Sequence, residues 1–173
     1  MRVGVSLLEE SKVAVSEANK EVIRRYQEAY NSQDLDALDE LLDPNWKTNA
    51  WPEGIPQSIE AAKEFYRGAL QIFPYFHVIT FQLVAEDDWV VQRGLLRLRF
   101  EGKLGELAPT GQVVESGFIS MFRIADGKIV EHWAYADDMS FFKGLGVEVP
   151  EIMFTFPHRS PTKGDIDKEH KGG

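Results

Sequence analysis

One change of hydrophobic period, at Pro74, constrains this chain more than any other feature. Before it, apolar residues recur at helical spacing; after it, they alternate every second residue. Val22, Ile23, Tyr26, Ala29 and Tyr30 form one stripe, and Leu35, Leu38, Leu41 and Leu42 form a second. Asp34 is the expected N-cap of that second helix, and Pro44 follows its end. The stretch WKTNAWPEGIPQS reads as a loop, after which Ser58 is placed to cap a third helix, IEAAKEFYRGALQIF. Beyond Pro74, FHVITFQLVAE, WVVQRGLLRLRF, VVESGFISMFRI and KIVEHWAYA read as four strands, and SFFKGLG as a short closing helix. Helices followed by an antiparallel meander predict an α+β fold, with helices packed on one face of a curved sheet and a cone-shaped cavity at its open end.

The totals narrow the function. At 173 residues the chain is long enough for one domain with a real core. Its net charge of −9 repels phosphate backbones, so no nucleic-acid partner is expected. No apolar run approaches the ~20 residues that span a bilayer, so no membrane partner is expected either. The opening MRVGVSLLEESK lacks the apolar core of a signal peptide, and there is no cysteine, which together predict a cytoplasmic protein. The four histidines, at 77, 132, 158 and 170, show no metal-ligand spacing, and no dinucleotide or phosphate-binding motif occurs. Neither metal nor cofactor is expected. Residues 1–18 read as a lead-in, 19–147 as the folded domain, and 148–173 as an extension that is mobile from about residue 158.

The hairpin FRIADGKIVEHWAYADD carries the chemistry. A two-residue turn would pair Ala125 with Lys128; a three-residue turn with Gly127 left-handed would pair Ile124 with Lys128. The three-residue turn sorts polarity better. It puts Phe118, Ser120, Phe122 and Ile124 on the face of Val130, His132, Ala134 and Ala136, with Arg123 diagonal to Glu131. His132 is then the ionisable group on the concave face. With an ordinary pKa near ~6.5, it is suited to proton transfer. The plainer alternative is a buried histidine hydrogen-bonded to a neighbour. Asp137 is a candidate second acid–base group at the mouth, while Asp138 reads as the cap of the last helix. Arg93, Arg97 and Arg99 fall on the outer face, as do Ile119, Met121, Trp133 and Tyr135. Those apolar side chains predict a homodimer through the sheet.

The run NKEVIRRYQEAYNSQDLDALDELLDPNW, the loop GELAPTGQ, the hairpin and the ending GLGV together resemble the SnoaL-like polyketide cyclases of the NTF2-like cone superfamily, from Asn19 to Val147. The resemblance implies a cofactor-free enzyme closing a ring by aldol chemistry, with one aspartate as acid–base and histidine, asparagine and glutamine around the substrate. The aspartate position is Ala134 here. The histidine of the preceding strand falls at Ser120, its glutamine neighbour at Phe118, and a further histidine at Phe100. The asparagine falls at Thr48, with Asn49 beside it. Tyr30 and Trp51 occupy the helix and loop that border the family's pocket. The expectation is an acid–base enzyme for a hydrophobic, oxygenated small molecule (isomerisation, cyclisation, dehydration or hydrolysis). His132 and Asp137 would be catalytic, with Tyr30, Asn49, Trp51, Phe100, Phe118 and Ser120 on the substrate. A non-catalytic ligand-binding protein is the alternative that Ala134 suggests. An interaction domain using its sheet face is the third.

Overall fold

A computed structural model describes residues 7–148 apart from Glu53. The expected mobile tail lies outside the described residues, as does the start of the lead-in. Helix α1, Leu7–Asn31, runs without a break through the boundary expected near residue 19. Its stripe of Ile23, Tyr26 and Ala29 is buried, and Tyr30 is partly buried against the same core. Asn31 ends the helix by bonding both the N–H and the carbonyl of Val78, at 2.7 and 2.9 Å. That bidentate contact fixes α1 across the neighbouring strand β2, Phe76–Glu86.

The second helical stretch is shorter than its apolar spacing predicts. It is a 3-10 turn, Leu35–Ala37, passing into α2, Leu38–Leu41. Asp34 stands at the start of the turn, but its side chain makes no capping bond there. Leu42 is already extended, with φ −100° and ψ 142°. It opens β1, Leu42–Thr48, a strand absent from the sequence reading. This strand pairs parallel with β5, Lys128–Ala136, and its register slips between Leu42 and Lys47. Pro44 lies within that slip. Proline has no N–H to give a ladder, so it is confined to edge strands and irregularities such as this one.

Helix α3, Ile59–Ile72, begins as expected: the Ser58 side chain accepts from the Ala61 N–H at 3.2 Å. Strands β3, Trp89–Arg99, and β4, Val113–Ala125, complete the meander with β2 and β5. The sheet order is β1-β5-β4-β3-β2, so the antiparallel meander gains one parallel edge strand. Helix α4, Asp138–Gly144, closes the described part.

The β4–β5 turn corrects the expected register. Asp126 and Gly127 have φ of 50° and 74°, and Ala125 pairs with Lys128, so the loop has two residues. Both central residues are left-handed, as the turn that suits strand twist requires. The register then shifts: Ile124 pairs with Ile129, but Arg123 pairs with Glu131, leaving Val130 as a bulge. A bulge adds one residue, as a three-residue turn would, so His132 keeps its expected face. Two details differ. His132 stands opposite Phe122 rather than Ser120, and Ile129, fully buried, enters the core in place of Val130.

Two clusters form the interior. The larger joins α1, α2 and α3 to β1, β3, β4 and β5. The smaller holds Phe73, Leu98, Phe100, Val114 and Leu145 at the other end of the sheet. No described helix is long and apolar enough to cross a membrane.

Candidate active site

Between α1, α3 and the concave sheet lies a cavity of about 480 Å³. Its walls are mostly aromatic and aliphatic, as small-molecule sites generally are. Tyr30, Asn49, Trp51, Phe118, Ser120 and His132 all line it. Six of the eight residues expected from the sequence are therefore brought together. Phe118 reaches in because Gly94 faces it across the ladder. A Cβ on Gly94 would lie 2.6 Å from the Phe118 ring, so glycine leaves the room that ring occupies.

The other two residues go elsewhere. Phe100 is fully buried in the smaller cluster, with its ring 5.8 Å from that of Phe73, and does not line the cavity. Asp137 N-caps α4, accepting from the Ser140 N–H at 3.0 Å and the Ser140 hydroxyl at 2.5 Å. Those bonds hold its carboxyl below the usual range. The carboxylate that borders the cavity is Asp138. The helix thus starts one residue earlier than its sequence suggests, which exchanges the roles expected of the two aspartates.

His132 is held by aromatic faces and hydroxyls. Its ring stacks on Phe122, with centroids 4.6 Å apart and planes within 2°. The edge of Tyr26 closes another side at 6.3 Å. Nδ1 lies 3.2 Å from the Thr48 hydroxyl, and Nε2 lies 3.4 Å from the Ser120 hydroxyl. The Thr48 oxygen also accepts the Ala50 N–H at 3.0 Å. A hydroxyl has one proton and two acceptor sites, so this chain runs equally well in either direction. In one, Thr48 donates to Nδ1 and Nε2 donates to Ser120. In the other, both bonds reverse. No described carboxylate contacts the ring, and burial lowers its pKa from 6.5 to about 4. The imidazole is neutral at physiological pH.

Thr48 comes within reach because β1 runs beside β5. Asn49 N donates to the His132 carbonyl at 3.1 Å, and Asn49 Oδ1 accepts from the Ala134 N–H at 2.9 Å. Asn49 lines the cavity, yet its side-chain oxygen continues the strand pairing. Ala134 faces Ser120 across the ladder and puts only a methyl group there.

Further polar residues in the cavity were not singled out from the sequence: Tyr26, Tyr66, Gln27 and Gln92. The Tyr26 and Tyr30 hydroxyls are 3.0 Å apart, and Tyr66 donates to the Tyr30 carbonyl at 2.5 Å. Burial raises all three phenols above their ordinary pKa, so they stay protonated. Gln92 follows Val90 in the inward alternation of β3, a signal readable once the face is fixed. Gln27 flanks the apolar stripe of α1 and is found only when that helix docks.

The convex face is built otherwise. Arg123 pairs with Glu131 directly opposite, with its Nε at 2.6 Å from the carboxylate, where a diagonal contact was expected. Arg97 pairs with Glu115 at 2.7 Å, and Arg93 lies 5.3 Å over the Phe81 ring. Among them Tyr135 is 65% exposed and Ile119 48%. No group of acids and histidines among the described residues could hold a metal ion.

A curved sheet covered by helices, with one aromatic cavity and a neutral histidine on its concave face, defines a small-molecule cone. The chain belongs to the SnoaL-like polyketide cyclase family, whose model matches residues 20–145. Over 74 residues it is 34% identical to aklanonic acid methyl ester cyclase AcmA of Streptomyces galilaeus. That match covers 43% of this chain and 49%, about half, of the relative. IdmH from Streptomyces antibioticus superposes with a TM-score of 0.67 at 28% identity, over 75% of this chain and 99% of that one. TsrD from Streptomyces laurentii shares the fold, with a TM-score of 0.69 at 23% identity, over 76% of this chain and 97% of its own.

Proposed function

We propose that this chain is a cofactor-independent enzyme of the cyclase type, acting on a neutral, hydrophobic, oxygen-bearing small molecule. The observation that carries this reading is the Ser120–His132–Thr48 hydrogen-bonded chain, open to an aromatic cavity at its Ser120 end. A neutral imidazole with so low a pKa is a weak base towards carbon. It is well suited to donating a hydrogen bond, or passing a proton, to an oxygen that gains charge. That oxygen would be the carbonyl of a ketone becoming an enolate, the first step of an aldol ring closure. Asp138 is the carboxylate available at the mouth to take the proton from carbon, the part assigned to Asp137 on sequence alone. The aspartate implied at position 134 by the family resemblance is absent, so acid and base are divided between two groups. The ring-closing relative AcmA supports the same reaction class. The convex apolar face supports a homodimer in which each copy covers the other's Tyr135 and Trp133.

The test uses 2-tetralone, a ring-fused ketone with an activated benzylic C–H beside its carbonyl, in D₂O. The expected result is deuterium exchange above the solvent rate, observed by NMR. His132→Ala should lower the catalysed rate by ~10²–10⁴-fold, the usual contribution of a positioned acid–base group, with affinity little changed. The rate should show no inflection between pH 5 and 8, because His132 does not change charge there. Saturable binding of 2-tetralone without any exchange would favour the second reading, a ligand-binding protein, for which the methyl of Ala134 beside Ser120 is the specific observation.

A further inference from the structure

A row of polar side chains crosses the concave face, one from each strand: Thr80 on β2, Gln92 on β3, Ser120 on β4, His132 on β5 and Thr48 on β1. The half around His132 belongs to the proton chain described above. The other half is a separate cluster. Gln27 of α1 comes down onto Thr80 and Gln92, and although Gln92 stands opposite Ser120 across the ladder, the bonds of this cluster run to Gln27 and Thr80. Gln92 is only 3% exposed, in a wall that is otherwise largely apolar.

Counting valences shows what this cluster leaves open. The Thr80 hydroxyl donates to Gln27 Oε1. Gln92 Nε2 donates to the Thr80 oxygen at 2.6 Å and lies 3.3 Å from Gln27 Oε1. Gln92 Oε1 and Gln27 Nε2 then have no bond to another described residue. Neither is sealed in, since the one enclosed side-chain polar atom without a partner among the described residues is Trp46 Nε1. Both glutamines line the cavity, and it is the cavity that a partner for these two atoms would occupy. Exchanging oxygen and nitrogen in both amides reverses the internal bonds but still presents one donor and one acceptor. Turning one amide alone would set two donors or two acceptors against each other at 3.3 Å, so both self-consistent arrangements lead to the same conclusion.

A donor and an acceptor on two amides that meet at 3.3 Å select a chemical group. A carboxylate or phosphate would meet the acceptor unfavourably, and no described lysine or arginine lines the cavity to compensate. A carbonyl would satisfy the donor alone and leave the amide oxygen unpaired beneath the ligand, which is unfavourable. A hydroxyl answers both. We propose that Gln27 and Gln92 form a hydroxyl-recognition site that takes an alcohol or enol O–H of a neutral ligand at the α1 side of the cavity. The site rests on reading the cavity as a small-molecule site, and it fixes which end of the ligand lies away from His132.

The test compares 1-naphthol with 1-methoxynaphthalene, whose oxygen accepts but cannot donate, by calorimetric titration. The native protein should bind 1-naphthol about 10-fold more tightly, since a site built for a hydroxyl rejects its blocked analogue. Gln92→Leu and Gln27→Leu should each reduce that preference to within about 2-fold while leaving 1-methoxynaphthalene affinity nearly unchanged. Gln27 is the less buried position, so Gln27→Leu serves if Gln92→Leu fails to fold. In ¹⁵N spectra of the native protein, the side-chain amide resonances of both glutamines should move on saturation with 1-naphthol. Equal affinities for the two probes, a preference surviving in the variants, unmoved amide resonances, or no binding of either probe would each overturn the proposal. Deuterium exchange into 2-tetralone persisting alongside any of these would remove the hydroxyl site alone and leave the enzymatic reading in place.

Discussion

The two faces of the β4–β5 hairpin differ in how their polar groups are satisfied. On the convex face, charges meet charges: Arg123 with Glu131, Arg97 with Glu115. Its large apolar side chains stand in water. On the concave face no described charged group contacts the His132 ring, and the polar groups bond one another beside the cavity they line. Alternate residues of one strand pair thus carry two designs. Paired charges around exposed aromatics suit the homodimer face proposed above. Neutral polar groups in an aromatic enclosure suit a ligand whose own oxygens complete them.

Acid should break the concave design first. The folded pKa of His132 is about 4 and its ordinary value 6.5. As pH falls the unfolded chain therefore binds this proton before the folded one does. The contribution is fully present above about 6.5, is lost progressively between 6.5 and 4, and is constant below. The shift corresponds to a loss of up to ~3 kcal/mol. Denaturant melts of native protein and His132→Gln, compared at pH 7 and pH 4, should differ in pH dependence by roughly that amount. Identical dependence would mean that the ring is charged or solvated in the folded state.

The convex design should break at its centre. Trp133 packs against Trp89, with ring centroids 5.4 Å apart and planes tilted by 36°, in the apolar part of that face. Trp133→Glu should weaken dimerisation by about 2 kcal/mol or more, read by sedimentation as a micromolar dimer becoming monomer. A native chain that already sediments as a monomer at that concentration would remove the dimer. The smallest effect belongs to Arg123→Ala. Its pair with Glu131 is partly solvent-exposed, so the stability change should stay at or below ~1 kcal/mol. A larger loss would show that the convex charges are more enclosed than their exposure indicates.

How far the sequence could be read follows the range of the forces involved. Helix α3 was legible because its stripe, its Ser58 cap and Pro74 are all local. The face of His132 was legible because alternation survives any error that preserves parity. A two-residue turn plus a bulge and a three-residue turn have the same parity, so the turn was misread while the face was not. Strand β1 was not legible. Its residues, LDPNWKT, neither alternate cleanly nor avoid proline, and they become a strand only by pairing with β5; Thr48 and His132 are 84 residues apart. That missing strand also hid Thr48 as the partner of Nδ1. Phe100 was misplaced because a matched position in a family pattern does not fix where a side chain points. The exchange of Asp137 for Asp138 came from a single residue of uncertainty in where α4 begins.

The central claim is that His132 is a neutral, hydrogen-bonded group of the cavity and not a solvated surface base. Long-range ¹H–¹⁵N correlation spectra of the histidine rings, followed from pH 8 to pH 4, test it directly. The expected result is that the His132 nitrogens keep the shifts of a neutral imidazole from pH 8 to about pH 5 and are half-way to imidazolium shifts near pH 4. A full titration of His132 centred near 6.5, with both nitrogens moving to imidazolium shifts, would contradict it.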